Sequence, residues 1–175
     1  MGASAKKLTN VEIFSKRLLM KPLNPNIDNL DEYLSWMKNR SDNPFIQGVN
    51  ERMSLESLIQ FIDQKNFRED ALLLGIFLRE DKKHIGNLKF EPIDFLNSSA
   101  WLGILIGNIQ SRGRGFAFEA INHATQVLNV DFGIRDFFLG VDIENQQALK
   151  TYISLGFKMI DSDTTTIKMH LKLST

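Results

Sequence analysis

The sequence predicts an α/β fold of the mixed, α+β kind: one largely antiparallel sheet flanked by helices. Three observations carry that expectation. Continuous apolar runs at residues 71–78, 84–90 and 101–106 are of strand length and are parted by charged or polar turns. Segments before and after them repeat apolar residues at helical spacing. The C-terminus alternates, with Thr165, Ile167, Met169, Leu171 and Leu173 set against Lys168, His170 and Lys172.

The elements follow in order. Residues 1–16 are polar and poor in pattern, so a flexible N-terminal arm is expected ahead of one domain over residues 17–175. Leu18, Leu19 and Met20 lead into Pro22 as a short first strand. Asp28 or Asn29 can cap a helix carrying Leu30, Tyr33, Leu34 and Met37 on one face, with Trp36 beside it. A turn-rich break over residues 39–44 precedes Ser54, which starts a second helix with the stripe Leu55, Leu58, Ile59 and Ile62. Residues 71–78 and 84–90 read as an antiparallel hairpin whose first strand is buried on both faces. Pro92 and Asn97-Ser98-Ser99 separate it from the run starting at Trp101. The stretch QSRGRG then opens a helix with Ala117, Ala120, Ile121, Ala124, Val127 and Leu128 on one side, ending at Gly133. A strand at residues 137–141, a helix at 145–154 and a stop at Gly156 precede the alternating end.

Composition narrows the function. The 175 residues suffice for one domain with a sizeable core. The 21 Lys+Arg balance 21 Asp+Glu, which argues against a generic nucleic-acid binder. Without cysteine there is no disulfide framework, thiol nucleophile or thiolate zinc site, and the composition is compatible with the cytosol. No apolar run nears the roughly 20 residues that span a bilayer, so no membrane partner is expected. The opening MGASAKKLTN has no apolar signal core, and Lys6 stands where a myristoylation pattern needs Ser or Thr. His84, His123 and His170 lack metal-ligand spacing, and no metal is expected.

Two segments can carry chemistry. In Gln110-Ser111-Arg112-Gly113-Arg114-Gly115-Phe116-Ala117, glycines permit a tight turn between a strand and a helix whose first amides are free. Arg112 and Arg114 would add charge for a diphosphate-like anion, although a solvated basic turn fits the same residues. The absent Gly-Lys-Ser/Thr excludes a Walker loop, and Phe118 stands where a dinucleotide fingerprint needs its third glycine. Farther on, Asn145 and Tyr152 lie two helical turns apart on one face. A carboxamide can bind a ligand's amides and a phenol can protonate a leaving group. Equally, Asn145 serves as an N-cap and Tyr152 packs over the sheet with Phe157.

Together these segments resemble the GNAT superfamily of acyl-CoA N-acyltransferases. Gln110, Gly113 and Gly115 fill its Gln/Arg-x-x-Gly-x-Gly/Ala loop, and Asn145, Ala148, Tyr152, Gly156 and Phe157 fill its closing helix motif. The likeness runs from about Leu18 onward and is nearest the branch of ribosomal-protein, polyamine and amino-sugar acetyltransferases. It implies a sheet splayed at its fourth strand, with acetyl-CoA as cosubstrate. The pantetheine chain would pair with Gly103, Ile104, Leu105 and Ile106, and the pyrophosphate would lie over Arg112, Gly113, Arg114, Gly115, Phe116 and Ala117, with Gln110 and Ser111 beside them. Asn145 would bind the cofactor or the reacting region, and Tyr152 would protonate the departing thiolate.

The resemblance also implies direct acetylation of a primary amine. A small molecule such as a nucleotide-linked amino sugar is the favoured acceptor; a protein N-terminus and a non-catalytic CoA-binding module are the alternatives. It leaves room for a homodimer. Relatives often carry a Glu before the Gly-Ile-x-Ile run, where this chain has Trp101 and Leu102. Glu91, Asp94 and Glu119 are the carboxylates considered for a base. Trp101, Glu91 and Asp94 are expected to border the acceptor, with Phe45 and Phe67 as further candidates for its cleft.

Overall fold

The computed structural model describes residues 8–46 and 48–174. Its strands are β1 (Ile13–Phe14), β2 (Leu18–Pro22), β3 (Leu72–Leu78), β4 (His84–Asp94), β5 (Ser99–Ile106), β6 (Asp136–Asp142), β7 (Lys158–Ser162) and β8 (Thr166–Lys172). The helices are α1 (Asp31–Lys38), α2 (Leu55–Phe67), α3 (Phe116–Phe132) and α4 (Gln146–Ser154). One sheet runs in the order β1-β2-β3-β4-β5-β6-β8-β7. Its pairs are antiparallel except β5–β6, which is parallel. The mixed, mostly antiparallel fold expected from the sequence is the fold observed.

Local chemistry sets the element ends. Ser54 caps α2 by accepting from the Ser57 amide at 3.1 Å. Asn29 accepts from the Asp31 amide at 2.8 Å, while Asp28 instead binds Lys21 Nζ at 2.6 Å. At the end of α3 the Gly133 and Ile134 amides donate to the carbonyls of Asn129 and Leu128, closing the last turn.

Each face of the sheet has its own core. Leu74, Leu88, Phe90 and Phe137 pack with Ala120, Ile121 and Leu128 of α3. On the opposite face, Leu73 and Phe77 meet Tyr33 and Trp36 of α1 and Leu58 and Ile62 of α2. Six of the seven residues of β3 are accordingly buried. Farther along that second face, β5, β6 and β8 present Trp101, Phe138 and His170, all half-buried, and exposed Gly103 and Gly140.

Three expectations are corrected. Residues 8–16 are no free arm: Leu8, Val11 and Ile13 enter the core, and Ile13–Phe14 pairs with β2. Pro92 does not end its strand, because β4 absorbs it at a register shift between Phe90 and Ile93 and continues to Asp94. The strand β7 was hidden, since all five of its residues are exposed and no buried alternation marks it. With β1 counted, the strand expected to splay as the fourth is β5.

The splay itself is read from the register. β5 and β6 share only Ser99↔Asp136, Ala100↔Phe137 and Trp101↔Phe138. Beyond these, β5 stays with β4 as far as Ile106, and β6 stays with β8 as far as Asp142. The two strands therefore part, leaving one edge of β5 without a neighbouring strand.

Candidate active site

A cavity of about 730 Å³ occupies the splay. Ile104, Leu105 and Ile106 supply its β5 edge, and the loop of residues 41–46 forms one wall. Gly113, Gly115, Phe116, Ala117 and Phe118 close it at the start of α3, and Asn145, Ala148 and Tyr152 close it from α4. Ser111 and Arg112 also line it, so the two sequence motifs meet in one space.

The loop before α3 is shaped for an anion. Gly113 and Gly115 hold φ of 71° and 78°, a left-handed backbone that disfavours side chains with a Cβ. The first helical bond runs from the Glu119 amide to the Gly115 carbonyl. The amides of Phe116, Ala117 and Phe118 thus have no partner within the helix, and they stand at the positive end of its dipole.

The arginines behave differently from expectation. Arg112 does not aim its guanidinium at that anion site. It donates to the Ile106 carbonyl (2.8 Å), the Asp42 carbonyl (2.7 Å) and Asn43 Oδ1 (2.7 Å), which ties the 41–46 loop to the end of β5. Asn43 is buried and donates onward to the Trp36 and Asn39 carbonyls. Arg114 remains at the helix start, 5.2 Å from the Phe116 ring centre. Arg17 joins it there, 4.3 Å from the same ring and bonded to the Arg114 carbonyl. Nothing local in the sequence marks Arg17, because β2 lies far from α3 along the chain.

Asn145 is the N-cap of α4, accepting from the Ala148 amide at 3.2 Å, and it also lines the cavity. Tyr152 is 7% exposed, its ring 5.9 Å from that of Phe157. Burial pushes its phenol up to about 12, so it keeps its proton through the physiological range. Asn145 thus caps the helix and Tyr152 packs with Phe157, while both line the cavity.

Other candidates fall elsewhere. Gln110 faces a separate cavity of about 290 Å³ with Trp36 and Asn39. Phe45 lines the main cavity, whereas Phe67 is almost fully exposed outside it. Trp101, Glu91 and Asp94 do not line the main cavity; Trp101 stands on the sheet face covered farther along by α1 and α2.

Burial alone would raise the Glu91 carboxyl. Its bonds to Lys65 at 2.7 and 2.8 Å, with Lys89 and Arg68 nearby, hold it below the usual range instead. Asp94 is lowered by hydrogen bonds from the Asn97 side chain and amide. Glu119 is likewise raised by burial but lowered further by Ser15 Oγ (2.7 Å), the Arg17 amide (2.8 Å) and Arg17 Nε (2.6 Å). Residues 41–44, Gln147, Lys150 and Thr151 also line the cavity without any local sequence signal. Asn-, Asp- and Pro-rich loops look alike whether or not they border a ligand.

Comparison with known proteins yields a consistent picture. The family model for an acetyltransferase (GNAT) domain matches residues 17–158. No curated protein matches the sequence. The microcin C7 self-immunity acetyltransferase MccE, solved with acetyl-CoA and AMP, superposes with a TM-score of 0.78 at 18% identity, over 91% of this chain and 94% of that one. Spermidine N-acetyltransferase from Vibrio cholerae, solved with CoA and spermine, gives 0.77 at 19% identity, over 90% and 96%. A GNAT-family acetyltransferase from Bacillus anthracis gives 0.78 at 13% identity, over 93% and 98%. At such identities the likeness is one of fold.

Proposed function

The chain belongs to the GNAT acetyltransferase family, and from that premise we propose that it transfers acetyl from acetyl-CoA to the primary amine of a small molecule. The observation that carries this reading is the cavity in the splay, where an unpaired strand edge, a helix start with free amides and the Tyr152 phenol converge. An extended pantetheine chain would hydrogen-bond along the β5 edge at Ile104 and its neighbours, as in strand addition. The diphosphate would lie on the amides of Phe116, Ala117 and Phe118, with Arg114 and Arg17 balancing its charge.

Acetyl transfer forms a bond from the amine nitrogen to the thioester carbonyl carbon and breaks the carbon–sulfur bond. The amine must attack in its neutral form and sheds its surplus proton to water, while the departing sulfur gains one. Tyr152 meets that sulfur as a protonated phenol and stabilises the charge that develops there. A phenol raised this far is a weak acid, so its contribution is a hydrogen bond strengthened in the transition state more than early proton transfer.

The test is calorimetry with acetyl-CoA followed by thiol release over amino-sugar nucleotides, aminoglycosides, polyamines and N-terminal peptides, with products identified by mass spectrometry. Acetyl-CoA binding and one strongly preferred small-molecule amine are the expected results. Preference for a peptide N-terminus would reject the small-molecule acceptor, and absence of acetyl-CoA binding would reject the activity.

A further inference from the structure

Glu119 stands in the first turn of α3 and grips the turn between β1 and β2. Its Oε1 accepts from Ser15 Oγ at 2.7 Å and from the Arg17 amide at 2.8 Å, and its Oε2 accepts from Arg17 Nε at 2.6 Å. Ser15 is buried, and its carbonyl accepts from Arg79 Nη1 at 2.8 Å. The carboxylate therefore holds both the main chain and the side chain of the turn.

The Arg17 guanidinium is held on every side but one. Nε is bound to Glu119, Nη1 donates to the Arg114 carbonyl at 3.0 Å, and the group lies 4.3 Å from the centre of the Phe116 ring. Among the described residues, none accepts a hydrogen bond from Nη2. That nitrogen lies beside Gly115, the N-cap of α3, where an added Cβ would come within 3.6 Å of it. An exposed arginine normally loses rotamer freedom when it binds a ligand; here the fold has already fixed it. Arg17 also lies outside the walls of the main cavity, although Gly115 and Phe116 belong to them.

We propose that Arg17 Nη2 binds the ribose 3′-phosphate of the cofactor, and that Glu119 is the positioning residue that holds the guanidinium for it. The inference rests on the acetyl-CoA reading and adds a specificity to it, since the site would tell CoA from its 3′-dephospho form. Inside the cavity the diphosphate has the amides of Phe116, Ala117 and Phe118, with the Arg17 charge nearby. The ribose phosphate is the anionic group of the cofactor that still lacks a hydrogen-bond donor, and a guanidinium edge suits it in direction and in charge. A carboxylate this close opposes a phosphate by charge alone. Its place beside Arg17 is explained by orientation.

Calorimetry of the full chain with CoA and with 3′-dephospho-CoA isolates the ribose phosphate, because the two ligands differ only in that group. Wild type should bind CoA at least about tenfold more tightly, the scale of one charge-assisted hydrogen bond. Arg17→Met keeps an apolar stem over Phe116 and should bring the ratio of the two affinities to within about twofold of unity. Glu119→Gln should lower that ratio at least about threefold, although removal of a negative charge would by itself raise it. A β1–β2 turn that is merely loosened weakens both ligands alike and leaves the ratio in place, so the ratio reads recognition and not stability. An Arg17→Met protein that weakens both ligands equally would overturn the proposal and leave the arginine to the diphosphate. A Glu119→Gln ratio that holds or rises would overturn the positioning role. Wild type that binds the two ligands equally would remove the inference with the acetyl-CoA reading intact, whereas wild type that binds neither would remove both.

Discussion

Arg112→Ala separates a latch from a phosphate clamp. The substitution deletes donors to the Ile106 carbonyl, the Asp42 carbonyl and Asn43 Oδ1, at 2.8, 2.7 and 2.7 Å. Hydrogen bonds from a charged group are worth about 1.5–3 kcal/mol each, and Asn43, 3% exposed, would be left with an unpaired oxygen. These bonds, with a longer fourth one to the Gly107 carbonyl at 3.4 Å, share one side chain and do not add, so about 3–5 kcal/mol is the expected loss. At about 2–4 °C per kcal/mol for a chain of this size, Tm should drop by about 10 °C. The loop freed by the change walls the cavity facing Ile104, Leu105 and Ile106, where the pantetheine chain is proposed to lie. Michaelis constants for acetyl-CoA and for S-acetyl-pantetheine, which lacks the diphosphate, should therefore rise together by about tenfold, near 1.4 kcal/mol. Arg112→Lys should recover little, since an ammonium cannot span three acceptors as a planar guanidinium does. A loss confined to acetyl-CoA, with Tm unchanged, would refute the latch and return Arg112 to the diphosphate.

Tyr152→Phe keeps the ring against Phe157 and deletes the hydroxyl; kcat should fall about a hundredfold or more with acetyl-CoA affinity and Tm held, and wild-type turnover would reject its role at the sulfur. Gly113→Val places a branched Cβ at φ 71° and should cost more than about tenfold in acetyl-CoA affinity by calorimetry, because the strained loop turns its amides away from the anion. Alkali should unfold the protein early. Tyr33 and Tyr152 are both raised by burial, Tyr152 to about 12, so their neutral forms support the fold fully below the unfolded tyrosine value near 10, and that support disappears as pH climbs towards the folded value. Tyr152 alone should account for on the order of 2–3 kcal/mol in urea melts between those limits, and Tyr152→Phe should flatten the slope.

Much of the fold was legible because it rests on local signals. The Ser54 cap, the α3 stripe ending at Gly133 and the continuous run of β3 are each written within a few adjacent residues. What escaped depends on distant partners. Ile13–Phe14 is a strand only because β2 lies beside it, and Leu8 is core only because the sheet receives it. Pro92 reads as a strand end by its missing amide, yet the shifted register at Phe90 and Ile93 leaves that position without a ladder bond to make.

The same division explains the site. Glycine positions and the Asn145–Tyr152 spacing survive from sequence to structure because backbone conformation and helix periodicity are local properties. Charge does not survive so simply, since a charged side chain acts on whichever partner it meets. Arg112 stands in the loop motif but serves carbonyls, whereas Arg17, a hundred residues away, stands beside the helix start and binds Glu119. Glu91, Asp94 and Glu119 are the candidates for a base where the family's usual Glu is missing, and no spacing singles one out. Each is held below its ordinary value by its own donors, and a carboxylate lowered in this way takes up a proton less readily than a free one. Under the proposed function, anion recognition falls to the first amides of α3 with Arg17 and Arg114 beside them, and the neutral amine comes from the acceptor's own ionisation into water.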